Sequence, residues 1–169
     1  MLNPNEYHPY FKTYIDPLME REESILELME ISAQSLVELI LSLPEEKEQY
    51  RYAEGKWTVK ELLLHISDTE RIFQYRALRF ARKDAIELPG FDQDIFNDSA
   101  EANNRSMQSL IDEFIAVRRA SITLFDSFSE DAWLRMGKAS GNMISVRAIG
   151  YLVSGHQMHH QRVLEERYI

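Results

Sequence analysis

The stretch Ser145-Val146-Arg147-Ala148-Ile149-Gly150-Tyr151-Leu152-Val153-Ser154-Gly155-His156-Gln157-Met158-His159-His160-Gln161-Arg162-Val163-Leu164 decides how the chain is read. Ile149, Leu152, Val153, Val163 and Leu164 recur at the spacing of one helix face, and Ser145 stands where an N-cap belongs. At about 100° per residue, His156 and His160 project about 40° apart, one turn from each other, on that apolar face. His159 falls about 60° to the other side, toward the margin. An imidazole on a buried stripe costs free energy unless both ring nitrogens find partners. A single core histidine ordinarily finds them in a carbonyl or a carboxylate. A pair at i, i+4 on the buried face points instead to one shared divalent ion.

Three further amphipathic segments precede this one. Asp16 and Pro17 supply an N-cap and a first-turn proline for a helix whose apolar positions Ile25, Leu28, Met29, Leu36, Leu39, Ile40 and Leu43 continue to Pro44. Thr58-Val59-Lys60-Glu61 is a capping box, which opens a second helix reaching about Lys83. Met107, Leu110, Ile111, Phe114, Val117, Ile122, Phe125 and Phe128 mark a third. The segment 84–104, about twenty residues with Pro89-Gly90 and dense acids, reads as a long crossover or an active-site wall. Residues 1–15 read as an irregular arm, and 131–143, with Gly137 and Gly141, as a loop; no run alternates like a strand. The predicted fold is all-α, a four-helix bundle with a long connection between helices 2 and 3, built from residues 1–169 as a single domain.

Composition excludes several functions. With 19 Lys and Arg against 28 Asp and Glu, the net charge is -9, which repels nucleic acid and anionic membrane surfaces. Arg71, Arg76, Arg79, Arg82 and Lys83 lie interleaved with Phe73, Tyr75 and Phe80, and read as a solvated face paired with nearby carboxylates rather than a nucleic-acid surface. Cysteine is absent, so a metal must take His, Asp, Glu or backbone oxygen. The sequence offers no signal-like N-terminus and no membrane-length apolar run, and a cytoplasmic location is expected. Neither a Gly-rich phosphate loop nor a legible Ser-His-Asp order occurs.

Two imidazoles retain a divalent ion poorly, and catalytic zinc sites use three protein ligands. His65 is the one other helical histidine, but it lies about 80° from the centre of its apolar stripe, so periodicity leaves its role open. The run Tyr52-Ala53-Glu54-Gly55-Lys56-Trp57-Thr58-Val59-Lys60-Glu61-Leu62-Leu63-Leu64-His65, continuing to Asp68 and Glu70, resembles the first signature of the DinB-like (DinB/YfiT) superfamily. Gly155-His156-Gln157-Met158-His159-His160 resembles its second, and Leu88-Pro89-Gly90-Phe91-Asp92 and Ser145-Val146-Arg147-Ala148 are similar to family segments. The resemblance covers at least residues 20–168. It implies a four-helix bundle, often dimeric, with one metal ligand from helix 2 and two from helix 4: His65, His156 and His160. His159 then corresponds to a neighbouring histidine that is not a ligand, and His8 has no counterpart.

Three neutral imidazoles leave an ion its full charge and an open coordination position, the arrangement that activates a nucleophile. Zinc is the expected ion on grounds of cellular supply, and nickel is expected after affinity purification. Asp68 is the best candidate to accept the second ring N–H of His65; Glu70 and Glu165 are weaker and read as solvated helix charges. Trp57, Met158 and His159 are pocket candidates, Trp57 and Met158 reading more readily as core packing. The resemblance implies a small-molecule enzyme, foremost a homodimeric S-transferase using a low-molecular-weight thiol, with a metal-dependent hydrolase as the alternative. A non-enzymatic metal- or ligand-binding bundle is the competing class; a fourth protein ligand closing the site would favour it.

Overall fold

The computed structural model describes residues 2–169; of the N-terminal arm, only Met1 lies outside the described residues. The arm is not irregular. It is a chain of helical turns, Pro4–Glu6, Pro9–Phe11, α1 (Lys12–Ile15) and Asp16–Leu18, three of them with proline in the first turn, where a missing N–H is harmless. Leu2, Phe11, Ile15 and Leu18 are buried, so the arm belongs to the core.

The first long helix, α2 (Ile25–Ser42), begins later than Asp16-Pro17 suggested. Ser24 and Glu27 form a capping box that satisfies two orphan amides reciprocally, whereas Asp16-Pro17 closes one 3-10 turn only. α3 (Val59–Ala81) opens on the expected Thr58–Glu61 capping box. The long connection that follows is not structureless: it holds α4 (Gln93–Ser99), capped by Asp92, and a 3-10 turn at Ala102–Asn104. α5 (Met107–Asp126) is capped by Ser106.

The predicted loop 131–143 is a second correction. It contains the end of α6 (Glu130–Trp133) and most of an antiparallel hairpin, β1 (Met136–Ala139) with β2 (Asn142–Ser145). Ser140 and Gly141 make the two-residue turn with φ of 52° and 80°, the sign that a type I′ turn requires at both positions. Four-residue strands are too short for alternation to show. Ser145 then caps α7 (Val146–Arg167) as expected, accepting from the Ala148 amide at 2.9 Å. Its hydroxyl also donates to Glu6 (2.9 Å), and Glu6 pairs with Arg147, which pins the arm to the start of α7.

In the bundle, α3 packs on α5 and α7, and α2 packs on the same two helices. The consecutive helices α2 and α3 therefore lie on a diagonal, and the fold remains mostly helical around one small sheet. Two apolar clusters fill it. One gathers Phe11, Met29, Phe73, Phe125 and Leu152; the other gathers Leu36, Leu63, Ile66, Phe114 and Leu164. Between them each helix turns polar: Ser32 on α2, His65, Thr69 and Glu70 on α3, Arg118 and Ser121 on α5, His156 and Gln157 on α7, all buried. Among the described residues, no helix is long and apolar enough to cross a membrane.

Candidate metal centre

The polar layer divides into two parts. On the α2–α5 side, Arg118 meets Glu70 through paired hydrogen bonds of 2.9 and 3.0 Å, each side chain only 2% exposed. Arg118 also donates to the Met29 carbonyl (2.6 Å) and Ser32 (3.0 Å), and Ser121 donates to Glu70 (2.6 Å). Glu70 is thus a fully buried ion-pair partner in a network that ties α2, α3 and α5 together, not the solvated charge expected. Glu165 is exposed, as expected.

On the α3–α7 side stand the histidines. His156 and His160, one turn apart on α7, face His65 on α3. The Nε2 atoms of His65 and His160 lie 3.2 and 3.1 Å from Nε2 of His156. Two imidazole nitrogens bound to one tetrahedral zinc at about 2.0–2.1 Å would lie about 3.3 Å apart. A ring nitrogen offers either one N–H or one lone pair, so His156 Nε2 cannot properly serve two neighbours, and none of the three rings has another hydrogen-bond partner among the described residues. A shared cation satisfies all three. These are also the residues whose ligand atoms converge within 4.8 Å as a group able to hold a metal.

His65, marginal on the helical wheel, is buried because α7 and Trp57 cover the flank that an isolated helix would show to water. The Trp57 ring centroid is 4.5 Å from that of His65 and 6.5 Å from that of His160. With the Asn97 amide oriented to satisfy both neighbours, the Trp57 indole N–H donates to it at 3.1 Å, so α4 holds the indole in place. On the other side, Tyr14 stands edge-on to His156 and His159. A Cβ on Gly155 would fall 2.1 Å from the Tyr14 carbonyl oxygen, so only glycine lets the arm run this close to α7.

Burial holds the site neutral. It pushes His65 down to about 4, and His160 to about 3 with help from His65 and His159. His156 is driven well below the ordinary range by burial and by the three neighbouring histidines. The rings are therefore ready to ligate at neutral pH without losing a proton. In metal-free protein the unfolded chain takes up these protons near pH 6.5, whereas the folded chain resists until near pH 4 or below. Stability should be full above pH 6.5 and fall as pH drops from about 6.5 toward about 4. Melting in chelator across that range reads it out, and a His156→Ala variant should show a smaller drop.

Other expectations are corrected. Asp68 does not reach His65; its carboxylate pairs with Arg71 at 3.0 Å. Met158 lines a separate groove between the arm, α2 and α7. Trp57 and His159 do line a cavity, of about 390 Å³, that His160 also faces, with Gln93 and Asp94 of α4 in its wall. A second cavity, of about 410 Å³, has His65 and His156 in its wall together with Tyr14, Thr69, Phe73, Arg76 and Phe91. The sequence reading did not single out Thr69, and it placed Arg76 on a solvated face, whereas both are buried and line this cavity. Their signal was the helix itself, since Thr69, Phe73 and Arg76 follow His65 at i+4, i+8 and i+11.

Comparison with known proteins bears on the family and the fold. The DinB superfamily model matches residues 28–164, from within α2 to near the end of α7. The chain belongs to the DinB superfamily. YfiT from Bacillus subtilis, described as a probable metal-dependent hydrolase with an unusual four-helix bundle topology, is similar with a TM-score of 0.73 and 14% identity, over 86% of this chain and 89% of YfiT. The DinB-like protein YjoA from Bacillus subtilis is similar with a TM-score of 0.61 and 17% identity, over 85% of this chain and 88% of YjoA. At these identities the likeness concerns the fold. No curated protein matches. The resemblance carried by the two histidine motifs is thus borne out for the family and for the DinB-type helical bundle.

Proposed function

We propose that this DinB-superfamily protein is a metal-dependent enzyme in which His65, His156 and His160 hold one divalent ion, zinc foremost and nickel after affinity purification. The observation that carries the reading is the convergence of three otherwise unpartnered Nε2 atoms at 3.1–3.2 Å. An ion there supplies a Lewis acid with room for a further ligand, the means of activating a thiol or a water near neutral pH. No fourth His, Asp or Glu joins the group among the described residues, which favours the enzyme over a structural ion.

The leading form is S-transfer from a low-molecular-weight thiol to a small electrophile. It is supported by two cavities walled by these histidines, one by His65 and His156 and one by His160, which would give two substrates separate approaches. Trp57 against His65 and His160, and Tyr14 against His156, help keep the three imidazoles packed and neutral. Hydrolysis is the second reading, favoured by the description of YfiT. The homodimer expected from the sequence belongs to the same proposal.

Zinc-loaded protein should consume an alkyl or aryl electrophile only when a small thiol is added, and chelation should abolish that activity. Ester or amide hydrolysis without thiol would select the second reading. Metal content well under one ion per chain, with no change in melting temperature on adding zinc, would remove both. Light scattering reads the dimer.

A further inference from the structure

Arg76 is the one member of the arginine cluster on α3 that turns inward. Arg71 meets Asp68 and Glu113, and Arg79 meets Asp84. Arg76 is only 7% exposed, and among the described residues no carboxylate lies within ion-pair distance of it. Its Nη2 donates to the Pro89 carbonyl (3.1 Å) and to Ser140 (2.8 Å), and its other N–H groups find no acceptor there. A guanidinium stays charged even where burial weighs against it, and a buried charge without a counter-charge is costly. In a chain with 28 acidic residues against 19 basic, the missing partner is conspicuous.

A second observation lies on the same helix face. Thr69, 4% exposed, has a hydroxyl with no hydrogen-bond partner, and it lines the same cavity between His65 and Arg76. From His65 to Arg76 the helix advances about 16 Å, and helical side chains lean toward the N-terminus, here back toward the histidines. Phe11, Phe73, Phe91 and Leu152 supply apolar wall between these polar points.

We propose that this cavity selects a substrate with an aryl or alkyl body and a single carboxylate, which Arg76 binds while Thr69 contacts the body and the reacting end lies at the histidines. The Nε and Nη1 N–H groups that Pro89 and Ser140 leave free can donate charge-assisted hydrogen bonds to a carboxylate, and the net charge of -9 disfavours polyanions such as polyphosphates. The inference deepens the metal-enzyme reading and rests on it for the reacting end alone.

Calorimetric titration of 4-phenylbutyrate and its neutral amide into zinc-loaded and chelator-stripped protein tests it. The carboxylate should bind roughly tenfold tighter than the amide in both forms, a preference that falls below about twofold in Arg76→Gln and returns in part in Arg76→Lys. Because Arg76 bridges Pro89 and Ser140, the near-isosteric Thr69→Val provides a variant less prone to misfolding; with a methyl in place of the unpartnered hydroxyl against the apolar body, both probes should bind about threefold tighter and the carboxylate preference should persist. A preference that survives Arg76→Gln but disappears with the zinc assigns the carboxylate to the ion and overturns the proposal, leaving the metal reading intact. A wild-type preference under about twofold overturns it as well. The predicted preference in a protein that takes up no zinc upholds the carboxylate site and removes the metal reading alone.

Discussion

Glu70→Ala is expected to cost about 3–5 kcal/mol of folding stability, the largest loss from any single side chain in the polar layer. The Arg118 guanidinium is 2% exposed and would keep its charge with only the Met29 carbonyl, Ser32 and the more distant Gln157 as acceptors. For a domain of this size, that loss corresponds to a fall in melting temperature of about 6–20 °C. Chemical unfolding gives the free energy directly. The double variant Glu70→Leu with Arg118→Met should recover most of it, because removing both charges also removes their desolvation cost. A loss below about 1 kcal/mol for Glu70→Ala would mean that water reaches the pair, and that the two apolar clusters hold the bundle without it.

His156→Ala should lower zinc affinity by well over about 100-fold, since loss of a residue that merely supports a ligand already costs about 10–100-fold. His156 is the central member, its Nε2 within 3.2 Å of both neighbours, so its removal leaves His65 and His160 without the nitrogen that bridges them. Competition against a chromophoric chelator measures the change. His159→Ala is the contrast: its ring stacks edge-on against Tyr14 and His160 but does not join the converging nitrogens, so zinc affinity should stay within about threefold. Wild-type affinity in His156→Ala would sink the three-histidine reading. In metal-free protein the same substitution should be mild, because it removes a buried imidazole that lacked a proper partner.

Legibility followed the range of the interaction. The Thr58–Glu61 capping box, the Ser145 cap and the i, i+4 spacing of His156 and His160 are all settled within one or two turns, and each stands where periodicity placed it. Ser24–Glu27 is equally local, but Asp16-Pro17 offers a competing start earlier in the sequence. The hairpin was hidden by strands of four residues, whose partners at Tyr7 and Leu88 are far away in the chain.

The sequence by itself determined the helical class, the family through its two histidine motifs, and one face of α7 as the place for paired imidazoles. A helix repeats its own geometry, so residues four apart meet whatever surrounds them. Only the tertiary structure decided that His65 is buried against that pair, that Glu70 turns inward to Arg118 48 residues away, and that Arg76 faces a cavity instead of a carboxylate. Each depends on which flank of α3 is covered by α5, α7, the hairpin turn and the arm. A helical wheel cannot see those neighbours, because burial is a property of the assembled layers and not of the helix.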